Sequence, residues 1–242
     1  MRVNEPRLLI VGLGLIGGSL AAALRSGGFR GAIHACDPDP GEIARGIEMG
    51  LIDGGDTELA AVIEGASLVV LAVPVLAMRS VMGELARLID RAAPDVVITD
   101  VGSTKATIRD CAREAFGCVP PRLVLGHPIA GSEKSGVAAA NPELYLRHKV
   151  ILTPEPDTDP VALSRVRALW EACGAEVLEM GVVRHDQVLA RTSHLPHLLA
   201  FSLVDTLARQ DERLEIFRYA AGGFRDFTRI AGSDPVMWRD IF

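Results

Sequence analysis

No stretch of this 242-residue chain is long enough to be a membrane span: the longest apolar run, near residues 68–73, is strand-sized, and a spanning helix needs about 20 apolar residues. Positive charge is not in excess either. The 25 basic residues are outnumbered by 31 acidic ones, for a formal charge of −6. That balance argues against a nucleic-acid groove or an anionic membrane surface as partner, both of which need basic patches. The opening residues, MRVNEPR, lack the apolar stretch of a secretory signal. The cysteines Cys36, Cys111, Cys118 and Cys173 are scattered without CxxC spacing, which favours reduced thiols in the cytoplasm over a disulfide framework. There is no internal repeat, no low-complexity tract, and no lysine from Gly181 onward.

What is present is ordinary globular composition, 49% hydrophobic and 23% charged, with length enough for a substantial core. Apolar runs at 8–12, 32–37, 67–73, 96–101, 123–127, 150–153 and 175–180 read as strands. Helical stretches at 16–26, 40–49, 76–91, 105–116 and 161–173 separate them. Continuous apolar strands alternating with helices imply a parallel sheet covered on both faces. Beyond Gly181 no convincing strand remains. Residues 182–209 read as one long helix interrupted by Pro196, followed by a helix over 212–220 and another opening after Ser233-Asp234-Pro235. The expected fold class is therefore α/β, a Rossmann-type, mostly parallel sheet over residues 1–180, then an all-helical domain over 181–242.

Gly12-Leu13-Gly14-Leu15-Ile16-Gly17 fits GxGxxG between an apolar strand and a helix. Glycines there permit a tight turn and close approach of backbone to a pyrophosphate at the helix N-terminus. Asp37 ends the next strand, where a carboxylate accepts from ribose hydroxyls and repels a 2′-phosphate, favouring NAD over NADP. A ligand-free glycine turn and an S-adenosylmethionine-binding turn are the alternatives. Val73 and Pro74 end a later strand and either line the cofactor crevice or simply stop the strand.

Two strand-end segments carry polar groups that a core would exclude. In DVGSTK (residues 100–105), Ser103 or Thr104 can cap the following helix. In GHPIAGSEKSG (residues 126–136), His127 directly follows a strand, and strand C-termini in such sheets converge on the ligand. Downstream, His194 and His197 lie three apart in SHLPH and can face one cleft. An HxxH pair can bind a metal, but no third ligand accompanies it, so none is expected. His185-Asp186, where the long helix begins, reads as a structural cap and dipole pair.

DVGSTK, GHPIAGSEKSG, TSHLPHLLA (192–200) and GGFRDFTRIAGSDPVMW (222–238), in this order behind a dinucleotide fingerprint, resemble the signature segments of the prephenate/arogenate dehydrogenases of tyrosine biosynthesis. The resemblance covers nearly the whole chain. It implies NAD-dependent oxidative decarboxylation of prephenate to 4-hydroxyphenylpyruvate, with arogenate as the alternative substrate. It implies His127 as the base, with Ser103 orienting it, bridging toward the substrate hydroxyl and also contacting the cofactor. Arg229 and His197 would bind the dianionic substrate, and Glu133 with its neighbour Lys134 would shape the loop over it. Asp226 and Trp238 also match family positions, and Arg225 would reach a site in a partner subunit. Trp238 can equally be a core anchor, and the Glu133 loop a merely solvated one.

Family members continue with further helices that complete a homodimer, so by resemblance this chain is shortened at its C-terminus and still expected to pair. A β-hydroxyacid dehydrogenase shares the two-part plan but normally uses a lysine on the helical side, and none is there. A non-catalytic dinucleotide-binding scaffold would keep Gly12, Gly14, Gly17 and Asp37 but could dispense with His127 and Arg229.

Overall fold

The computed structural model describes residues 7–132 and 134–242. Its central sheet is built from β1 (Leu8–Val11), β2 (Ile33–Cys36), β3 (Gly54–Asp56), β4 (Leu68–Leu71), β5 (Val97–Asp100) and β6 (Leu123–Val124). All pairings are parallel, in the order β3-β2-β1-β4-β5-β6. The direction of travel reverses between β1 and β4, and ligands of such sheets bind in the crevice at that switch.

β1 and β4, at the centre, are apolar on both sides because both faces are covered. Leu8 and Ile10 point into one cluster with α1 (Leu15–Ser26) and α6 (Pro160–Ala172). Leu9 and Val11 point into the other, filled from α3 (Leu59–Val62), α4 (Met78–Leu88) and α5 (Lys105–Phe116). β3 and α3 were not legible as elements. β3 carries Gly54, Gly55 and Asp56 and no apolar side chain, and α3 is a single turn.

Asp-Pro pairs open three helices. Asp39 accepts from Gly41 N–H at the start of α2 (Pro40–Glu48), and Asp159 accepts from Val161 N–H at the start of α6. Asp234 accepts from Val236 N–H at the start of α11 (Pro235–Ile241). Each carboxylate satisfies an orphan amide while the proline occupies a position that has no intrahelical bond to lose.

The strand expected over 123–127 is in fact two. After β6 the chain steps out at Leu125, and β7 (Gly126–Pro128) joins a second sheet with β8 (Lys149–Leu152) and β9 (Glu176–Glu179). β7 runs antiparallel to β8, with His127 opposite Ile151. The step follows from hydrogen bonding. Gly126 N–H is taken by the Asp100 carboxylate at 3.1 Å, and the Leu125 carbonyl by Thr153 N–H at 2.8 Å.

Residues 182–209 also differ from expectation. α7 (Val182–Leu189) passes through a π-helical turn, Ala190–His194, into α8 (Leu195–Ala208). The irregularity lies before Pro196, which itself sits in the first turn of α8. A proline cannot donate to the carbonyl four residues back and its ring crowds that carbonyl, so the preceding turn widens. α9 (Arg213–Arg218) and α10 (Gly222–Thr228) follow, then a 3-10 turn, Arg229–Gly232, and α11. No helix among the described residues is long and apolar enough to cross a membrane. Cys36, Cys111, Cys118 and Cys173 are all free. Burial pushes the Cys36 thiol up to about 11 and that of Cys173 to about 12.

Candidate active site

The turn between β1 and α1 has room for a phosphate only because its glycines are glycines. Gly12 has φ +96°, and a Cβ there would stand 2.4 Å from the Ala72 carbonyl oxygen. A Cβ on Gly17 would stand 2.1 Å from the Gly12 carbonyl oxygen, so this residue lets α1 close against the turn. At Gly14 a Cβ would meet nothing within 4 Å; that side of the turn is an open cradle at a helix N-terminus. Leu15 and Ile16 begin α1 and are partly buried. Asp37 follows β2 and holds the turn in place: it accepts from Leu13 N–H at 2.7 Å and from Asp39 N–H at 2.9 Å. Val73 lies beside Gly12, and Pro74 leads into a 3-10 turn, Val75–Ala77, against which α11 packs. These residues fit a dinucleotide: glycines clear the backbone for the pyrophosphate, and a carboxylate stands where the ribose would lie.

The chemical end is stitched together by Asp100, the last residue of β5. Its fully buried carboxylate accepts from Gly102 N–H at 2.8 Å, from Gly126 N–H at 3.1 Å and from Lys105 Nζ. Lys105, also fully buried, donates as well to the Gly126 carbonyl. Burial pulls the Lys105 ammonium below its ordinary value, and Asp100 beside it opposes that shift. The Ser103 loop and the His127 strand are thus held side by side by one buried ion pair.

Neither Ser103 nor Thr104 caps α5 with its side chain. The cap is Asp186 from α7, whose two oxygens accept from Lys105 N–H at 2.8 Å and Ala106 N–H at 2.9 Å. Two adjacent orphan amides suit a bidentate carboxylate, which a serine or threonine cannot match. The partly buried Ser103 is free of that duty.

His127 is only 8% exposed. Its Nδ1 lies 2.9 Å from His185 Nε2, and among the described residues its Nε2 has no protein partner. Burial above all, then the charges of Lys105, His185 and His194, pushes this imidazole well below its usual value, while Asp186 pulls the other way. It is therefore neutral at physiological pH and able to accept a proton.

Of the residues from the helical segments, His194 comes near enough to His127 for its charge to act on that ring. His194 is in the π-turn and His197 in α8, and both meet the buried ring of Trp238 from α11. His197 stacks on it at 3.7 Å between centroids, and His194 meets it edge-on at 6.0 Å. His197 Nδ1 donates to the Ser193 carbonyl at 2.9 Å, leaving Nε2 to face outward from that bond. Trp238 thus both anchors α11 and braces His197. Arg229 begins the 3-10 turn packed on α8, exposed and with no ion-pair partner among the described residues. Arg225 and Asp226 are exposed on α10. Glu133 lies outside the described residues, and Lys134 beside it is exposed. No cluster of three or more metal-binding side chains occurs among the described residues. Asp186 is a cap, as its sequence suggested, but of α5 rather than of its own helix, whose N-cap is Gly181, and the roles of Lys105 and His185 were missed. Only Lys105 lay in a segment singled out for chemistry, and its burial had no local signal.

Comparison with known proteins agrees with this geometry. The description "Prephenate dehydrogenase, nucleotide-binding domain" matches residues 20–179, and "Prephenate dehydrogenase, dimerization domain" matches residues 183–242. The prephenate dehydrogenase of Bacillus subtilis (strain 168) is 39% identical over 244 residues, covering 100% of this chain and 64% of its own length. The cyclohexadienyl dehydrogenase of Zymomonas mobilis is 35% identical, covering 97% of this chain and 79% of its own. The crystal structure of A. aeolicus prephenate dehydrogenase, in complex with hydroxyphenyl propionate and NAD+, superposes with a TM-score of 0.90 at 42% identity, covering 100% of this chain and 83% of that one. The chain therefore spans just under two thirds of the Bacillus relative's length. Matched by both descriptions over most of its length, and 39% identical to the Bacillus enzyme across all of it, the chain belongs to the prephenate dehydrogenase family.

Proposed function

We propose that the chain catalyses the NAD-dependent oxidative decarboxylation of prephenate to 4-hydroxyphenylpyruvate. The observation that carries this reading is His127, a neutral imidazole on β7 with one nitrogen engaged and the other without a protein partner among the described residues. Gly12, Gly14, Gly17 and Asp37 would hold the cofactor, with Leu13, Leu15 and Ile16 as the frame of the turn and Val73 and Pro74 along the crevice. When bound, NAD supplies the acceptor for the hydride leaving the ring carbon that carries the hydroxyl. His127 Nε2 takes the hydroxyl proton, Ser103 orients that histidine and bridges toward the hydroxyl, and loss of the ring carboxylate as carbon dioxide makes the ring aromatic. The dianionic substrate needs cations in a chain of net negative charge. Arg229, free of any ion pair among the described residues, is suited to grip a carboxylate bidentately, and His197 offers a second contact.

Two units share this work, residues 1–180 for the cofactor and 181–242 for substrate and pairing. α8 supports a homodimer: of its fourteen residues only Ala200 is fully buried, while Leu195, Leu198 and Leu199 are exposed. An apolar surface of that kind marks an interface, and Arg225 would reach into the partner's site. Equilibrium sedimentation at micromolar protein should give twice the chain mass; a monomer would exclude the pairing. The chain is expected to work in the cytoplasm.

The function is tested by following NADH absorbance with prephenate and with arogenate, each with NAD and with NADP. Turnover of prephenate with NAD is the expected result. Preference for NADP overturns the role given to Asp37, preference for arogenate corrects the substrate, and activity with neither removes the enzymatic reading.

A further inference from the structure

We propose that His185 and Asp186 are positioning residues that fix the tautomer of His127, so that its Nε2 lone pair faces the site, and that they offset the charge formed when it accepts a proton. The proposal rests on reading His127 as the base. It begins at Asp186, whose carboxylate is locked onto the N-terminus of α5 by Lys105 N–H and Ala106 N–H. Burial alone would raise this carboxyl. Hydrogen bonds from His185 and from those two amides instead bring it down to about 2, so it is ionised and can only accept.

The next link is His185, fully buried, with Nδ1 2.8 Å from Asp186 Oδ1. The proton between them must sit on Nδ1. In neutral His185 the other nitrogen, Nε2, is then an acceptor. It lies 2.9 Å from His127 Nδ1, which must therefore be the donor. The rings meet edge-on, with centroids 5.1 Å apart and planes at 61°, as a directed hydrogen bond requires and a stack does not. Fixing the proton of His127 on Nδ1 leaves the lone pair on Nε2. That is the minority tautomer of a free histidine, so the chain Asp186–His185–His127 is needed to hold it.

The same chain matters once the reaction starts. The O–H bond of the substrate breaks, an N–H bond forms at His127 Nε2, and the ring becomes an imidazolium. The groups facing it are the Lys105 ammonium from α5, His185 from α7 and His194 from the π-turn, all of which oppose a further positive charge. Asp100 is already paired with Lys105. Among the described residues Asp186 is the carboxylate that favours the imidazolium, and His185 carries the contact to it. No proton need move beyond His127. A helix-capping role alone would explain Asp186 but not the buried ring placed between it and His127.

The test is 15N NMR of histidine-labelled protein at neutral pH, without cofactor or substrate, using two-bond couplings to locate each ring proton and His127→Asn to assign the signals. His127 and His185 should both carry their proton on Nδ1, and His127 should shift to the Nε2–H form in His185→Leu. A wild-type His127 protonated on Nε2 overturns the proposal, as does one that keeps Nδ1–H in His185→Leu. The wild-type measurement needs no variant to fold and no substrate to turn over, so it stands apart from the assignment of prephenate. In kinetics with prephenate, His185→Leu and Asp186→Asn should lower kcat about 100-fold with KM nearly unchanged. His185→Gln, which keeps an acceptor at the Nε2 position, should recover part of the loss, and its acid limb should fall at lower pH in Asp186→Asn. Parent-like kcat in His185→Leu contradicts the role.

Discussion

Replacing His127 with asparagine should lower the turnover of prephenate about a thousand-fold while leaving NAD affinity nearly unchanged. The asymmetry follows from the layout. His127 sits on β7 in the second sheet, whereas the glycine turn and Asp37 that would hold the cofactor belong to β1, α1 and β2. Loss of the imidazole removes the proposed proton acceptor and touches nothing in the cradle. Isothermal titration with NAD separates the two effects from turnover. A variant that keeps its turnover excludes His127 as the base, and one that loses cofactor binding in parallel assigns the residue to the fold.

The same side chain also shapes the acid stability. Its folded-state value lies well below 6.5, so it stays neutral in the protein while the unfolded chain takes up a proton as pH falls. The unfolded state then binds more protons than the folded one, and stability is lost below about pH 6.5. Asp186, at about 2 in the folded protein, adds a further loss below the ordinary carboxylate range. His127→Asn removes the first contribution and should flatten the melting temperature between neutral pH and mild acid.

The second large effect is on the fold. Lys105→Met should destabilise the protein by about 3–5 kcal/mol, because it leaves the Asp100 carboxylate fully buried without its counter-charge. For a chain of this size that is a fall of roughly 10 °C in melting temperature. The loops that Asp100 ties together carry Ser103 and His127, so activity should fall with stability. Adding Asp100→Asn to Lys105→Met removes the stranded charge and should restore part of the loss. A melting temperature within about 2 °C of the parent for the single variant would show that the pair contributes little.

How far the sequence could be read depended on the distance over which each signal acts. The glycine turn, Asp37 and the Asp-Pro helix starts are local devices, since a turn, a strand end and a cap each need only a few neighbouring residues. The alternation of strands and helices was equally plain, because strands buried on both faces must be continuously apolar, as Leu8 to Val11 are. The step from β6 to β7 was not visible. It depends on where the Asp100 carboxylate lies, 26 residues earlier. The capping of α5 by Asp186 spans 81 residues and the His127–His185 contact 58. Thr104 looked like the cap because threonine commonly is one. A carboxylate from another helix won by satisfying two amides at once.

His194 and His197 were legible as a pair from their spacing. That Trp238 would stack on one and meet the other edge-on was not, since α11 and α8 are brought together only by tertiary packing. Arg229 was singled out by likeness alone. Its exposed position on a turn against α8, with no ion pair among the described residues, suits a side chain that waits for an anion.

The proposed chemistry needs the imidazole on β7 and the guanidinium of the 3-10 turn to act on one molecule. A crystal structure of the chain with NAD and 4-hydroxyphenylpyruvate tests this directly. The account predicts His127 Nε2 at about 2.6–3.2 Å from the product's ring oxygen, with Arg229 on its carboxylate. A product held elsewhere, or His127 and Arg229 opening onto separate cavities, would contradict it.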